Sequence, residues 1–318
     1  MEDYPRTLAE LERRFATDAA CREYLVRLRW PDGFVCPRCG GCTAWGTRRG
    51  VWVCATCGHQ ASVTAGTLFQ DTRLPLTLWF RAIWWVTSQK TGASALGLQR
   101  ILGFGSYETA WTWLHKLRRA MVRPGREPLT GRVEVDEAYL GGPGEGAHGR
   151  KRTPKKLLIA VAAEEAGRGI GRIRVRRIPD ATATSLHRFI REAVAVGSVL
   201  HTDGWDGYTG LGAEGYTHEV SPLRRRPGAA VALLPRVHRV VALLKRWLLG
   251  THQGAVSVAH LDYYLDEFTF RFNRRTSRSR GKLFYRVLQH AVVVDPVPYT
   301  ALVTHTRGRL PANHTPQR

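Results

Sequence analysis

The chain has 318 residues, enough for two or more hydrophobic cores at about 100–200 residues per domain. It carries 48 Lys+Arg against 26 Asp+Glu, a net charge of +22, and all but seven of the basic residues are arginine. A GC-rich coding sequence explains the choice of arginine over lysine, but not the charge, which points to a polyanion, nucleic acid ahead of an anionic membrane surface. No apolar run reaches the length of a membrane span, and the first residues, "MEDYPRTLAELERRF", lack the pattern of a signal peptide. The expectation from composition is a soluble, intracellular protein with a nucleic-acid partner.

In chain order, residues 7–29 read as helix, with a second start near Asp18. Residues 33–62 are rich in Cys and Gly, with short strands. Helices are expected at 74–89, 94–104 and 106–121, the last opened by Ser106 as N-cap and basic at its end. "VRPGREPLTG" (122–131) is a Pro/Gly linker and so a domain boundary. Beyond it "RVEVDEAYLG" alternates as a strand, and "KLLIAVAAEE" and "GRIRVRRIP" form a hairpin around "AGRGI". A helix over 182–195, a strand "SVLHTD" (198–203), a short helix, a short strand near His218–Val220 and helices at 237–249 and about 258–274 follow. This is the element order of an RNase H-like α/β layer fold. The expected domains are an N-terminal helical segment (1–30), a metal ribbon (31–70), a helical segment (71–125), an α/β catalytic domain (130–295) and a tail (296–318).

Cys36 and Cys39, then Cys54 and Cys57, form two C-x2-C knuckles separated by 14 residues. Each lets two thiolates grip one ion, and four sulfurs close a tetrahedral Zn²⁺ site of structural type. Gly40 and Gly58 follow the knuckles, where the backbone turns sharply. Cys21 and Cys42 lie outside the spacing. Arg38, Arg48 and Arg49 beside Trp45 and Trp52 suit a nucleic-acid surface, although the tryptophans equally suit the small core of a ribbon.

The three helices between 74 and 121, with a tight "GFGS" turn before the last, suit a helix-turn-helix-like DNA-binding segment. Tyr107, Glu108, Thr109 and Thr112 would then be exposed, Trp111 and Leu114 would pack inward, and Lys116, Arg118 and Arg119 would meet phosphates. A plain three-helix connector is the alternative.

Asp136 follows one strand pattern and Asp203 ends another. Side by side, two such carboxylates hold divalent cations, Mg²⁺ or Mn²⁺, for in-line attack on a phosphodiester. Glu134 shares the strand face of Asp136 and reads as an accessory acid; Glu137 faces away.

With these features together, the chain resembles insertion-sequence transposases of the DDE superfamily, of the ISXO-like type with an N-terminal zinc ribbon. The stretches that carry it are "FVCPRCG…WVCATCGHQASVTAGTLF", "SQKTGASALGLQRILGFGSYETAWTWLHKLRRAM", "VEVDEAYLGG", "TDGWDGY" and "LLKRWLLGTHQGAVSVAHLDYYLDEFTFRFNRR". The resemblance implies an RNase H-like core that cleaves and joins DNA, and ribbon and helical segments that bind terminal inverted repeats. The resemblance also implies double-stranded DNA as the partner and a cytoplasmic, nucleoid-associated location. Synapsis of two ends implies a homo-oligomer on DNA, which also engages target DNA. Asp136 and Asp203 take the first two acidic positions. The third lies seven residues before the Lys of "LLKR", here Lys245, and is His238 where the family more often has Glu or Asn. Glu267, Arg271 and Arg274 match a Glu-Arg-Arg signature and share one helix face. The arginines are expected at the DNA backbone, a surface salt bridge being the alternative.

Neutral imidazole favours later, softer metals than Mg²⁺, so a His238 ligand implies relatively better use of Mn²⁺. His238 as hydrogen-bond donor to phosphate or water is the other option, and an inactive copy the third. The rivals for the whole protein are a domesticated DNA-binding regulator and a structure-specific RNase H-like nuclease.

Overall fold

In a computed structural model of the chain, the described residues are 2–123, 125–141, 157–221, 233–254 and 256–303. The Gly-rich basic loop expected after Gly141, most of the basic loop before the 237–249 helix, and most of the tail lie outside them. The chain divides into two compact units, one of residues 1–124 with 277–318, the other of 125–276.

The first unit opens with α1 (Leu8–Arg14) and α2 (Asp18–Arg29), each started by a threonine, Thr7 or Thr17, whose hydroxyl accepts a first-turn N–H. A small antiparallel sheet follows: β1 (Ala44–Gly46), β2 (Val51–Cys54) and β3 (Gln60–Ser62). Then come α3 (Leu76–Ser88), α4 (Ala95–Leu102) and α5 (Tyr107–Ala120). Ser94 and Ser106 cap α4 and α5, and Gly103 closes α4 in the left-handed conformation at φ 66°. Phe15, Tyr24, Phe80 and Phe284 form an edge-to-face aromatic cluster, with Phe15 centred 4.7 Å from Phe80. Phe284 belongs to α9 (Arg280–Ala291). The boundaries read from sequence include that stretch in the catalytic domain; in the structure it packs on α2, α3 and α5. Its Gly281 is required by close approach: a β-carbon there would overlap the Pro5 carbonyl. A short helix, α10 (Tyr299–Val303), touches α5.

The second unit is a mixed α/β layer structure. Its strands are β4 (Arg132–Leu140), β5 (Leu157–Ala166), β6 (Gly169–Ile178), β7 (Val199–Thr202) and β8 (Thr217–Val220), in the spatial order β6-β5-β4-β7-β8. β4, β5 and β6 pair antiparallel; β7 runs parallel to β4, and β8 parallel to β7. α6 (Ala183–Ala193), begun by a Thr182 cap, joins β6 to β7. Two 3₁₀ turns, 206–208 and 211–214, precede β8, and α7 (Pro235–His252) and α8 (Leu261–Asn273) follow it.

Alternation along the central strand sorts the layers. Val133 and Val135 pack with Leu186, Phe189 and Ile190 of α6. On the other face Leu140, Ile159, Val161 and Val175 pack with Val237, Val240, Leu244 and Leu248 of α7 and with Leu261, Leu265, Phe268 and Phe272 of α8. The α7 residues recur every three or four positions, the stripe an amphipathic helix lays on a sheet. Covered on both faces, β5 is buried continuously from Leu158 to Ala163.

Candidate active site

The four cysteines of the ribbon converge. Cys36 Sγ lies 3.7 Å from Cys57 Sγ, and Cys39 Sγ 3.6 Å from Cys54 Sγ. Four sulfurs at about 2.3 Å from one Zn²⁺ stand about 3.8 Å apart in a tetrahedron, so the donor set fits that ion. The backbone N–H groups of Cys57 and Thr56 hold the Cys54 thiol down at about 6, while at Cys39 the pull of a Gly41 N–H is outweighed by the neighbouring thiols, which push it up. Gly40 and Gly58 follow the knuckles at φ 73° and 67°. The tryptophans divide. Trp52 stacks on Phe34 in the ribbon core with Trp30, whereas Trp45 is exposed, as are Arg38, Arg48 and Arg49.

The helical segment distributes its expected DNA contacts unevenly. Tyr107 and Glu108 are exposed, though the Glu108 carboxylate accepts the Ser106 hydroxyl. Thr109, Thr112 and Lys116 are half-buried along a cleft of about 710 Å³, which Asp71, Arg73, Trp79, Trp113 and Tyr299 also line. Burial lowers the Lys116 ammonium pKa against the opposing pull of Asp71. Arg119 is half-buried. Arg118, expected at phosphate, is 2% exposed, with Nη1 3.4 Å from His115 Nε2. Its place on α5 turns it inward, so it is an interior group rather than a surface contact. Leu114 is buried as expected, and Trp111, half-buried, lies against His115.

In the α/β unit, β4 and β7 bring the two aspartates into line. Their parallel register runs Arg132↔Val199, Val133↔Leu200, Glu134↔His201. Extended two residues past its last pair, this register would bring Asp136, midway along β4, level with Asp203, the residue after β7. Asp136 Oδ1 accepts the Glu137 N–H at 2.9 Å, and Asp203 Oδ1 accepts the Trp205 N–H at 3.0 Å. From α7, on the same face as Asp136, His238 Nε2 comes within 3.7 Å of Asp136 Oδ2. This nitrogen is buried and has no hydrogen-bond partner among the described residues. Burial lowers the imidazole pKa, with Glu134 and Asp203 pulling the other way. A neutral ring with an unsatisfied nitrogen, facing a carboxylate oxygen, is a donor pair that fits a divalent cation. The Asp203 carboxylate stands further off: among the described residues the three side chains do not form a cluster with every ligand atom within 4.8 Å of the others.

The remaining site residues are placed otherwise. Lys245 is exposed and borders a groove with Leu140, Leu157 and Leu248. Glu267 is 1% exposed and bonds Arg271 through Nε and Nη2 at 2.8 and 2.7 Å, an i,i+4 pair inside α8. The Arg271 side chain is itself 11% exposed, so most of it is committed to the protein. The Arg274 guanidinium lies over the Phe270 ring.

Glu134, expected as an accessory acid, is engaged by the first turn of α7. It is fully buried and caps α7: its Oε2 accepts the N–H groups of Arg236 and Val237 at 2.7 and 3.0 Å. Glu137 does face away; it accepts the hydroxyl of buried Tyr208 at 2.7 Å, tying β4 to the turn after Asp203. Burial and the Glu137 carboxylate push the Tyr208 phenol well above its ordinary range. Strand alternation placed both acids on their faces, but their partners lie far along the chain, beyond what local pattern reveals.

Residues 128–273 match the model of the ISXO2-like transposase domain, and residues 16–60 that of the transposase zinc-ribbon domain. An uncharacterized protein in transposable element ISH50 of Halobacterium salinarum is 26% identical over 293 residues, covering 84% of this chain and 94% of that protein. No solved structure matches. Among the described residues no helix is long and apolar enough to cross a membrane. Both halves of the resemblance read from the motifs are thus matched, in the same order and over the greater part of the chain: it belongs to the ISXO2-like insertion-sequence transposases with an N-terminal zinc ribbon.

Proposed function

We propose that this transposase binds the terminal inverted repeats of its element and catalyses metal-dependent DNA strand cleavage and strand transfer. The observation that carries the reading is the buried His238 Nε2, without a hydrogen-bond partner among the described residues, 3.7 Å from Asp136 Oδ2 on β4, the strand that pairs parallel with β7, which Asp203 follows. The strand order, three antiparallel and two parallel, supports an RNase H-like core for residues 125–276. The match to an open reading frame of a transposable element supports the mobile-element role.

Asp136, Asp203 and His238 would hold the catalytic cations, in a DDH arrangement. When bound, such cations activate a water or 3′-hydroxyl and stabilise the leaving oxygen. The chain's own part is to orient the donors. Asp136 and Asp203 are each steadied by a backbone N–H, that of Glu137 or of Trp205, on one carboxylate oxygen. Burial favours the neutral form of His238, and in the tautomer protonated at Nδ1 its Nε2 offers a lone pair to a cation. The ribbon would present Trp45, Arg38, Arg48 and Arg49, and the α4–α5 segment Tyr107, to DNA. The net charge of +22 supplies the phosphate attraction.

The test uses duplex oligonucleotides carrying the inverted repeats that flank the gene, with Mg²⁺ or Mn²⁺. Wild type should nick at the repeat ends, while Asp136→Asn and Asp203→Asn retain binding and lose cleavage. A folded wild-type protein that binds the repeats but cuts with neither metal would overturn the enzyme reading in favour of a DNA-binding regulator.

A further inference from the structure

The third side chain of the site rides on a helix, and that helix is fastened to the strand that carries the first. Glu134 precedes Asp136 by two residues on the same face of β4. The first N–H groups of a helix have no partners within it. Leu234, at the N-cap of α7, offers no side-chain acceptor. Glu134 supplies what is missing, from 102 residues away: Oε2 takes the Arg236 and Val237 N–H groups, and Oε1 takes Arg236 Nη1 at 2.8 Å. A carboxylate at a helix N-terminus is also favoured by the helix dipole. The Arg236 guanidinium completes the fastening. Nη1 reaches Glu165 Oε1 at 3.0 Å, Nη2 the Gly167 carbonyl at 3.0 Å and Nε the Gly169 carbonyl at 3.1 Å. Both carbonyls belong to the β5–β6 hairpin region. His238 follows Arg236 by two residues, about 3 Å of helix rise. A shift of the first turn therefore carries the imidazole with it.

We propose that Glu134 and Arg236 are positioning residues that set where His238 Nε2 stands relative to Asp136, and thereby set divalent-cation affinity. The proposal rests on the reading of Asp136 and His238 as cation ligands.

Two measurements on the full chain test it. The first is hydrogen exchange of the peptides covering the first turns of α7. The Gln oxygen of Glu134→Gln still accepts both N–H groups; Glu134→Ala does not. Exchange should be at least tenfold faster in the Ala variant and within threefold of wild type in the Gln variant. The second is Mn²⁺ binding followed by electron paramagnetic resonance. Glu134→Ala should weaken Mn²⁺ about tenfold when His238 is present and leave it unchanged in a His238→Ala background, with Glu134→Gln restoring most of the affinity. Unaltered exchange in the Ala variant, or an equal loss of affinity without His238, would overturn the positioning role. If Glu134→Ala does not fold, Arg236→Gln, which keeps the cap but loses the side-chain ties to Glu165, Gly167 and Gly169, takes its place in the Mn²⁺ measurement, and an equal loss of affinity with and without His238 would overturn the proposal. Failure of wild type itself to bind Mn²⁺ would sink the cation reading and this proposal with it. Wild-type binding that Glu134→Ala leaves untouched would sink this proposal alone.

Discussion

Replacing His238 with glutamate tests the geometry of the site most directly. The two side chains reach about equally far, so the new carboxylate takes the place of Nε2, 3.7 Å from Asp136 Oδ2. Both native side chains are mostly shielded, at 27% and 15% exposure. Two unit negative charges at that separation repel by about 4 kcal/mol at an effective dielectric constant of about 20. Protonating an ordinary aspartate at pH 7 costs about 4 kcal/mol as well, so that escape brings little relief. Without a cation, His238→Glu should be about 2–4 kcal/mol less stable than wild type, and less stable than His238→Ala, which adds no charge. A divalent ion reverses the order, because a third carboxylate binds a hard cation better than imidazole does. The assay is urea unfolding at pH 7 in EDTA, in Mg²⁺ and in Mn²⁺. His238→Glu should gain most from Mg²⁺, and wild type more from Mn²⁺ than from Mg²⁺. If His238→Glu and His238→Ala agree within about 0.5 kcal/mol in EDTA, the side chain at 238 does not face Asp136 and the argument fails.

Three further outcomes are expected. Cys54→Ser should release the zinc, one per chain in wild type by elemental analysis, and expose the amides of β1–β3 to exchange; zinc retained at full occupancy would count against four-sulfur ligation. Arg271→Ala takes away the bridge to buried Glu267 and should cost about 3 kcal/mol in denaturant unfolding while leaving the salt slope of DNA binding unchanged; a slope lower by about one would instead make Arg271 a phosphate contact. Burial pushes the Asp266 carboxyl up to about 7, with Arg126 opposing. The folded chain then holds a proton that the unfolded chain releases near pH 4. This contribution to stability is complete below about pH 4 and is lost as pH rises through 7. The Tm of Asp266→Asn relative to wild type should climb between pH 5 and 8 and then level off; an equal difference at both pH values would contradict the raised carboxyl pKa of this half-buried acid.

Much of this protein is written in short-range pattern, and the reason is that the interactions concerned are themselves local. Thiolates two residues apart can share an ion wherever they are, so Cys36, Cys39, Cys54 and Cys57 were legible at once. Ser94, Ser106 and Thr182 cap helices through atoms three residues away. Alternation with a period of two assigned Glu134 and Asp136 to one face of β4 and Glu137 to the other. The position of His238 came from the family resemblance, registered on Lys245, and the side chain comes within 3.7 Å of Asp136. What the chain order left open was settled by contacts made across it. Trp45 and Trp52 look alike in sequence, but only Trp52 meets Phe34. Arg118 and Arg119 are neighbours, yet the turn of α5 buries the first. The helix Arg280–Ala291 follows the α/β unit in sequence and packs into the other unit, because its apolar stripe matches α3 rather than the sheet. Above all, the role of Glu134 depends on N–H groups 102 residues ahead. A buried carboxylate takes its function from whichever donors the fold delivers, and no local pattern names them.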